Sequence, residues 1–198
     1  MPSASRGREP ASPSTPAQKA RCDRILSVAA KLGARQGLEA VRMQEVADRS
    51  EVSTATLYRY YPTKHHLFAA LLFRYSQHPS LPAKPSGCPI TDATELMVQM
   101  VRSTLAVPLL AKAMIVSVNV LRAESEFARD FQVRRSILAV AGKSAPTAED
   151  AQLALLVEQM AFGVLCWAVM GETTPDQAER NMRKACALLL APWRGAAE

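Results

Sequence analysis

Helix start signals recur along the whole chain, and they constrain its fold more than any other feature of the sequence. Thr15-Pro16-Ala17-Gln18 combines an N-cap threonine, a proline at the first helical position and a capping glutamine. Comparable signals stand at Thr147-x-x-Asp150 and at Thr174-Pro175-Asp176-Gln177. The apolar residues recur at helical spacings, and no stretch alternates with the period of two that is typical of strands. The sequence therefore predicts an all-α protein.

The predicted helices form two groups on either side of a proline-rich loop. The first group comprises a helix from Pro16 to a C-cap at Gly37, one over 41–50, one over 54–61 that Ser53 caps, and one from Thr63 to about His78. The second group lies at about 92–106, 108–122, 125–141, 148–170 and 175–191. We accordingly expect a disordered tail over 1–15, a helix-turn-helix domain over 16–78, a loop over 79–91 with four prolines, and a second helical domain over 92–198.

The positive charge is concentrated in the first part of the chain. Residues 1–78 contain 12 Lys and Arg against 6 Asp and Glu, whereas residues 79–198 contain 12 of each. The formal net charge of +6 therefore arises before residue 79. This asymmetry indicates a part that faces nucleic acid and a neutral part with another role. A basic surface that is merely solvated is the plainer alternative.

Several functional classes are disfavoured by what the sequence lacks. Its four cysteines, Cys22, Cys88, Cys166 and Cys186, form no CxxC pair and lie close to no histidine in sequence, so we expect a reduced, cytoplasmic chain without a metal site or cofactor. The N-terminus has no apolar core of a secretory signal, and no apolar run approaches the roughly 18 residues of a membrane span. No catalytic constellation can be assembled, and His65-His66 is interpreted as a solvated pair beside DNA.

A helical wheel of residues 54–61 separates a core face from an outer face. Leu57 and Tyr61 fall together on the core face. The outer face carries small and basic side chains and is flanked by two tyrosines: Ala55, Thr56, Arg59, Tyr58 and Tyr60. A major groove about 12 Å wide accepts one helix in this orientation, with base edges ahead and phosphates beside it. Together with the preceding short helix and turn, this pattern predicts a helix-turn-helix.

Residues 22–68 resemble the DNA-binding domain of the tetracycline-repressor (TetR) family of bacterial transcription regulators. The matching residues are Gly37, Val46-Ala47, Val52-Ser53, the run Thr56-Leu57-Tyr58-Arg59-Tyr60-Tyr61-Pro62-Thr63-Lys64, and Leu67. The resemblance implies a homodimer that binds duplex DNA, with an all-α C-terminal domain in which a ligand moves the two helix-turn-helix units apart.

The resemblance also implies a set of DNA-contacting residues. They are Arg42, Gln44, Ser53, Thr54, Ala55, Thr56, Tyr58, Arg59, Tyr60 and Lys64. Met43 stands where the family commonly has a threonine and cannot hydrogen-bond a phosphate, so Arg42 is assigned as the replacement. Tyr61 stands where phenylalanine is usual, so its hydroxyl needs a polar outlet.

The neutral part of the chain is rich in apolar helical faces. We predict a cavity for an elongated hydrophobic ligand, lined by Met97, Met100, Val101, Met114, Val118, Phe127, Phe131, Met160 and Trp167. An adaptable methionine-rich core is the plainer alternative. The helix at 148–170 is apolar nearly all round, so both of its sides must be covered. A homodimer interface is accordingly predicted at Val157, Ala161, Val164, Ala168, Ala185 and Leu189.

A narrower resemblance concerns two apolar stretches. VPLLAKAM at 107–114 and VLCWAVM at 164–170 are similar to stretches of KstR-type regulators of steroid and cholesterol catabolism, which implies a CoA thioester of a steroid as effector. Two functions therefore stay open at this point: a ligand-responsive repressor, or an architectural DNA-binding protein without a ligand.

Overall fold

In a computed structural model, the structure describes residues 10–77, 86–124 and 132–195. The regular structure of these residues is entirely helical, which confirms the predicted fold class. The elements are α1 (Pro16–Ala40), α2 (Met43–Arg49), α3 (Thr54–Tyr60), α4 (Lys64–Gln77), α5 (Pro89–Leu105), α6 (Pro108–Ala123), α7 (Val133–Val140), α8 (Ala148–Val169), α9 (Pro175–Leu189) and a 3₁₀ turn (Ala191–Gly195).

The helix start signals act as the sequence predicts. Complete capping boxes begin α1, α8 and α9, with the N-cap hydroxyls of Thr15, Thr147 and Thr174 each accepting a backbone N–H three residues on, at 3.1–3.2 Å. Each box satisfies two backbone donors that would otherwise have no partner within the helix.

The helix boundaries differ from the predicted ones in a few places. Gly37 interrupts α1 with a φ of 73°, a left-handed conformation that glycine adopts without strain, and the helix is assigned onward to Ala40. α5 begins at Pro89 rather than residue 92, because proline is suited to the first helical position. The predicted helix at 125–141 is seen over Val133–Val140, and 125–131 lies outside the described residues.

One residue within the predicted N-terminal tail has a backbone partner at α3. The backbone N–H of Ala11 donates to the carbonyl of Arg59 at 3.0 Å, so the chain is held against α3 from this point on. Residues 1–9 of the predicted tail lie outside the described residues, as do residues 78–85 of the end of the fourth helix and the proline-rich loop.

The chain divides into two compact units whose limits differ from the predicted domains. Unit 1 combines Met1–Leu72 with Lys112–Ala128, and unit 2 combines Phe73–Ala111 with Arg129–Glu198. The later part of α6 thus belongs with the first helices rather than with the second predicted domain. The later part of α6 is grouped with helices that are distant in sequence, so no local change in composition predicts this grouping.

The core of unit 1 is built from the apolar faces of its short helices. α2 packs against both α1 and α3. Completely buried side chains come from each of these elements and from α4 and α6: Ile25, Val46, Leu57, Leu67, Phe68, Ile115 and Val118.

Unit 2 is organised around α5 and α8. α5 packs against α7, α8, α9 and the 3₁₀ turn, and α8 packs against α7 and α9. Arg102 of α5 reaches Glu179 of α9 through three hydrogen bonds of 2.7, 2.8 and 3.2 Å, and Arg183 of α9 pairs with both Glu179 and Glu95. The Arg102 guanidinium is the main cause that lowers the pKa of Glu179 below its usual value. This run of alternating charges ties α5 to α9 along the surface.

The two tryptophans of unit 2 lie in opposite environments. Trp193 in the 3₁₀ turn is 4% exposed, with the Lys143 ammonium 5.5 Å from its ring centroid, and no described residue accepts a hydrogen bond from its indole N–H. Trp167 on α8 is 58% exposed.

By length and composition, α8 could cross a membrane, with a mean hydropathy of 1.6, and α5 with α6 would pass the same test if the pair formed one broken span. However, α8 packs against three other helices of its unit, and Glu158 in its middle pairs with Arg134 at 3.0 Å. A helix that forms the core of a domain satisfies the same criteria.

The start of α8 generates a prediction about pH. The pKa of the Asp150 carboxyl lies below its ordinary value of 3.8, first because it accepts the Thr147 backbone N–H and further because Thr147 Oγ1 and Lys143 bond to it. A lowered pKa in the folded state means that the carboxylate contributes stability above pH 3.8, and that this contribution is lost as the pH falls through the lower folded value.

Substituting Asp150→Asn should therefore lower the free energy of unfolding by about 1 kcal/mol near neutral pH. In urea denaturation the difference from wild type should shrink once the pH is below 3.8. Asp176→Asn, at an exposed position in the first turn of α9, is the matched control and should change little. An equal loss of unfolding free energy for Asp150→Asn near neutral pH and below pH 3.8 would contradict a stabilising role for the ionised carboxylate.

Candidate nucleic-acid interface

The turn between α2 and α3 is fixed by hydrogen bonds to buried groups. Ser50 is completely buried, its hydroxyl donates to the Val46 carbonyl at 2.5 Å, and its own carbonyl accepts from Arg24 Nε at 2.7 Å. The backbone N–H of Val52 donates to the Ala47 carbonyl at 3.1 Å. These bonds set the angle at which α3 leaves the turn, so the direction of its outer face is fixed by the core.

α3 is anchored by three side chains, one more than the wheel predicts. Leu57 and Tyr61 are buried, as predicted, but Tyr60 is also buried at 3% exposure, so its predicted place on the flank of the outer face is wrong. The helix ends at Tyr60, and the backbone of Tyr61 is no longer helical, with φ −134° and ψ 86°. The wheel thus places Tyr58 and Tyr61 correctly and Tyr60 on the wrong side.

The exposed face of α3 presents Ala55, Tyr58 and Arg59, with Tyr58 46% exposed. The Arg59 guanidinium lies 4.9 Å from the Tyr60 ring centroid and donates to the Tyr60 hydroxyl at 3.0 Å. Tyr60 thus positions the arginine next to it.

The start of α3 is capped as predicted. Ser53 Oγ accepts the Thr56 backbone N–H at 3.2 Å and donates to Thr56 Oγ1 at 2.9 Å. Beside this cap, Gln44 of α2 and Thr54 of α3 are joined, since Thr54 Oγ1 donates to Gln44 Oε1 at 2.9 Å. The structure therefore brings together predicted contact residues from both helices of the helix-turn-helix. Arg42, at the N-cap position of α2, is exposed close to them in sequence.

Lys64, a predicted phosphate contact, has a structural partner of its own. Its ammonium group donates to the carbonyls of Leu38 and Glu39 at 3.1 and 3.2 Å, at the end of α1. A cation placed at the last carbonyls of a helix stabilises them. Lys64 thus links α4 to α1 in addition to its predicted role.

The histidine pair differs from its predicted solvated state. His66 Nδ1 lies 2.9 Å from Thr63 Oγ1 at the start of α4. His65 is half-buried, and its Nδ1 lies 3.2 Å from the hydroxyl of Ser117, a completely buried residue of α6. His65 and Ser117 are 52 residues apart in sequence, so no sequence pattern predicts this contact.

The predicted effector-pocket residues are divided between the two units and the residues outside the described part of the chain. Met97 and Val101 are buried in unit 2, and Met114 and Val118 are buried in unit 1, while Met100 is half-buried. Met160 and Trp167 are 43% and 58% exposed, so their prediction as cavity-lining side chains is wrong. Phe127 and Phe131 lie outside the described residues.

Most of the predicted dimer-interface residues face the interior of their own chain rather than an uncovered surface. Val157, Ala161 and Val164 are buried within the chain, and so is Ala185 of α9. Ala168 and Leu189 are half-buried. The side of α8 that the chain leaves uncovered carries Met160, Trp167 and Met170 instead, with Leu188 exposed on α9. Because α8 is apolar nearly all round, its sequence did not distinguish the two faces.

Within the described part of the chain, no group of three His, Cys, Asp or Glu side chains is placed to hold a metal ion. The candidate interface carries amide, hydroxyl, guanidinium and aromatic groups, which are groups that contact DNA bases and phosphates.

Comparison with known proteins agrees with this geometry. Residues 25–71 match the family "bacterial regulatory proteins, tetR family", and residues 89–189 match the tetracyclin repressor-like C-terminal domain. A crystal structure of a TetR transcriptional regulator from Rhodococcus sp. RHA1 is 32% identical and covers 93% of this chain and 100% of its own, with a TM-score of 0.80. The chain belongs to the TetR family of DNA-binding transcription regulators, and it is not an enzyme.

Within the family, the chain is similar to regulators named HTH-type transcriptional repressor KstR. The protein of Rhodococcus jostii is 38% identical over 103 residues, which are 51% of this chain and 49% of that protein. The protein of Mycobacterium tuberculosis is 40% identical over 78 residues, or 39% of this chain and 34% of that protein. The chain thus matches about half or less of the length of these curated relatives. A tetR-family regulator of Streptomyces coelicolor shares the fold, with a TM-score of 0.56 at 18% identity, covering 88% of this chain and 82% of that one.

Proposed function

We propose that this protein is a transcriptional repressor that binds operator DNA as a homodimer in the cytoplasm and is released by a hydrophobic small molecule. The observation that carries the proposal is the exposed face of α3, with Ala55, Tyr58 and Arg59 beside the linked pair Gln44 and Thr54. The proposed DNA contacts are those predicted from the sequence, except that Tyr60 holds Arg59 in place instead of contacting DNA itself.

In the proposed complex, α3 enters the major groove. Ala55 has a short side chain and lets the helix approach the base edges, and Arg59 donates to a base. Ser53, Thr56 and Tyr58 contact the sugar-phosphate backbone, and Arg42 and Lys64 supply positive charge at its edge. The net positive charge of residues 1–78 supports this arrangement, because phosphate neutralisation supplies much of the affinity for DNA.

Arg59→Ala should weaken binding to a selected operator by about 1–3 kcal/mol and relax the preference at one base pair. Fluorescence anisotropy with duplexes enriched from a random library measures both effects. Arg35→Ala removes an exposed positive charge from α1 and is the matched control, expected to bind nearly as wild type. If Arg59→Ala keeps both affinity and preference at two salt concentrations, the proposed docking of α3 is wrong.

The proposed homodimer uses the side of α8 that its own chain leaves uncovered. Gly163 lies on this side, between Met160 and Trp167, and a Cβ added there would meet nothing within 4 Å. A glycine inside a helix costs about 1 kcal/mol relative to alanine, and packing within the chain does not require one here. The close approach of a second α8 at this position would use the missing side chain. Exposed Met160, Trp167 and Leu188 would then be buried between the two copies.

Trp167→Glu should place a charge in this contact and convert the dimer to a monomer. Light scattering at micromolar concentration should give about twice 21.5 kDa for wild type and about 21.5 kDa for the variant. Val107→Glu introduces the same charge at an exposed apolar residue between α5 and α6 and should leave the dimer intact. A wild-type monomer, or a Trp167→Glu dimer, would contradict the proposed interface.

A hydrophobic effector is supported by the apolar interior and by the similarity to the KstR repressors. Met97 on α5 and Met182 on α9 are completely buried in unit 2, and methionine side chains adapt to ligands of varied shape. The stretches at 107–114 and 164–170 resemble KstR-type regulators. We therefore propose a steroid or fatty acyl group, carried as a CoA thioester, as the effector class.

Titration of such thioesters into the protein–operator complex should lower operator affinity by about 1–3 kcal/mol, the usual range of coupling between two sites. Free CoA is the control and should have no effect, since it lacks the hydrophobic group. If no hydrophobic compound changes the affinity, the protein is an architectural DNA-binding protein without a ligand. An unchanged affinity would leave the operator-binding proposal itself intact.

A further inference from the structure

The side-chain amide of Gln44 is held at both of its polar ends. Gln44 Nε2 donates to Asp48 Oδ1 at 2.8 Å, one turn further along α2, and Gln44 Oε1 accepts from Thr54 Oγ1 at 2.9 Å, at the first residue of α3. Gln44 and Asp48 are exposed, and Thr54 is half-buried. A long, exposed side chain is thus fixed between the two helices of the helix-turn-helix.

Asp48 decides which way the amide points. An ionised carboxylate only accepts hydrogen bonds, whereas the Thr54 hydroxyl both donates and accepts. Rotating the Gln44 amide by half a turn would bring its oxygen against the Asp48 carboxylate and would replace an attraction by a repulsion. The –NH₂ group is therefore kept on the side of Asp48 and the carbonyl oxygen on the side of Thr54.

The two bonds leave part of the amide available. An amide carries two N–H donors and two acceptor lone pairs, so one donor and one lone pair of Gln44 remain. In the major groove, adenine presents the N7 acceptor beside the N6 donor, and a glutamine amide pairs with both. Held in one orientation, Gln44 offers the complementary pair of groups without first losing its rotational freedom.

The charge of Asp48 has no other evident role in this surface. A carboxylate beside DNA is repelled by the phosphates and lowers the affinity for every sequence. The neighbouring Glu45 is balanced by Arg49 at 2.9 Å, whereas the Asp48 carboxylate accepts from the neutral Gln44 amide. By fixing the orientation of the Gln44 amide, Asp48 offsets the affinity lost through its repulsion of the phosphates.

We propose that Gln44 reads an adenine in each half of the operator and that Asp48 is the residue that positions it. This inference rests on the proposed operator binding. It assigns sequence selectivity to α2 as well as to α3, and it gives a negatively charged residue a part in DNA recognition.

The test compares four proteins on duplexes enriched by wild type from a random library: wild type, Gln44→Ala, Asp48→Ala and Asp48→Asn. Wild type should prefer adenine over the other bases at one position of each half-site by about tenfold. Gln44→Ala and Asp48→Ala should both lose this preference. Asp48→Asn keeps an acceptor for the amide and should retain most of it.

The two Asp48 variants also separate orientation from charge. Both remove a negative charge, so both should bind duplexes that lack the adenine more tightly than wild type and to a similar degree. A role of Asp48 in charge alone would give the two variants the same base preference. All substituted side chains are exposed, and thermal unfolding of each variant verifies that the domain is folded.

Three results would overturn the inference. Asp48→Ala could retain the adenine preference of wild type, or Gln44→Ala could weaken all duplexes equally, which would make Gln44 a phosphate contact. Failure of wild type to enrich any sequence would overturn operator binding as well, and so it is distinguishable from the other two outcomes.

Discussion

The burial of Leu57 and Val46 in the core of unit 1 is the constraint on which the rest of the unit depends. α2 and α3 have seven residues each, whereas isolated helices shorter than about 12–15 residues are marginal in water. These two helices are therefore stabilised by the burial of their apolar sides in the core of unit 1, which also sets the direction of their outer faces. The hydrogen bonds around Ser50 then remove the remaining freedom of the turn.

Unit 2 is held in a different way. α8 and α9 are long, begin with complete capping boxes and pack along much of their length, so their stability depends less on any single contact. The pairing of Arg102 with Glu179 and of Arg183 with Glu95 joins α5 to α9 at the surface. Exposed ion pairs of this kind add little free energy, but their alternating order allows only one alignment of the two helices without bringing like charges together.

Local chemistry made much of the fold predictable from sequence. Capping boxes, the proline at position 16 and the glycine at position 37 act within a few residues, and so the starts of α1, α8 and α9 and the helix-turn-helix could be assigned correctly. Leu57 was placed in the core because α3 is regular at this position, and Tyr61 is buried as predicted although its backbone is no longer helical. The resemblance to the TetR family then supplied the set of DNA-contacting residues.

The features that were missed depend on geometry between distant segments. Tyr60, the last residue of α3, is buried although the wheel places it at the flank of the outer face, and the contact between His65 and Ser117 joins residues far apart in sequence. For α8, both faces are apolar, so periodicity could not show that Val157 packs inward while Trp167 remains exposed. The link between Gln44 and Asp48 was visible as a spacing of four residues on one helix, but its importance appears only with Thr54 beside it.

The contrast between the two tryptophans has a practical consequence for spectroscopy. The chain has two of them, and an indole in a buried apolar site emits at shorter wavelength than one exposed to water. Trp193 is buried within the 3₁₀ turn, so its emission reports unfolding of unit 2. Trp167 lies on the uncovered side of α8, so its emission reports whatever molecule covers that side. Intrinsic fluorescence during serial dilution would thus record association and unfolding as two separate signals, without an added dye.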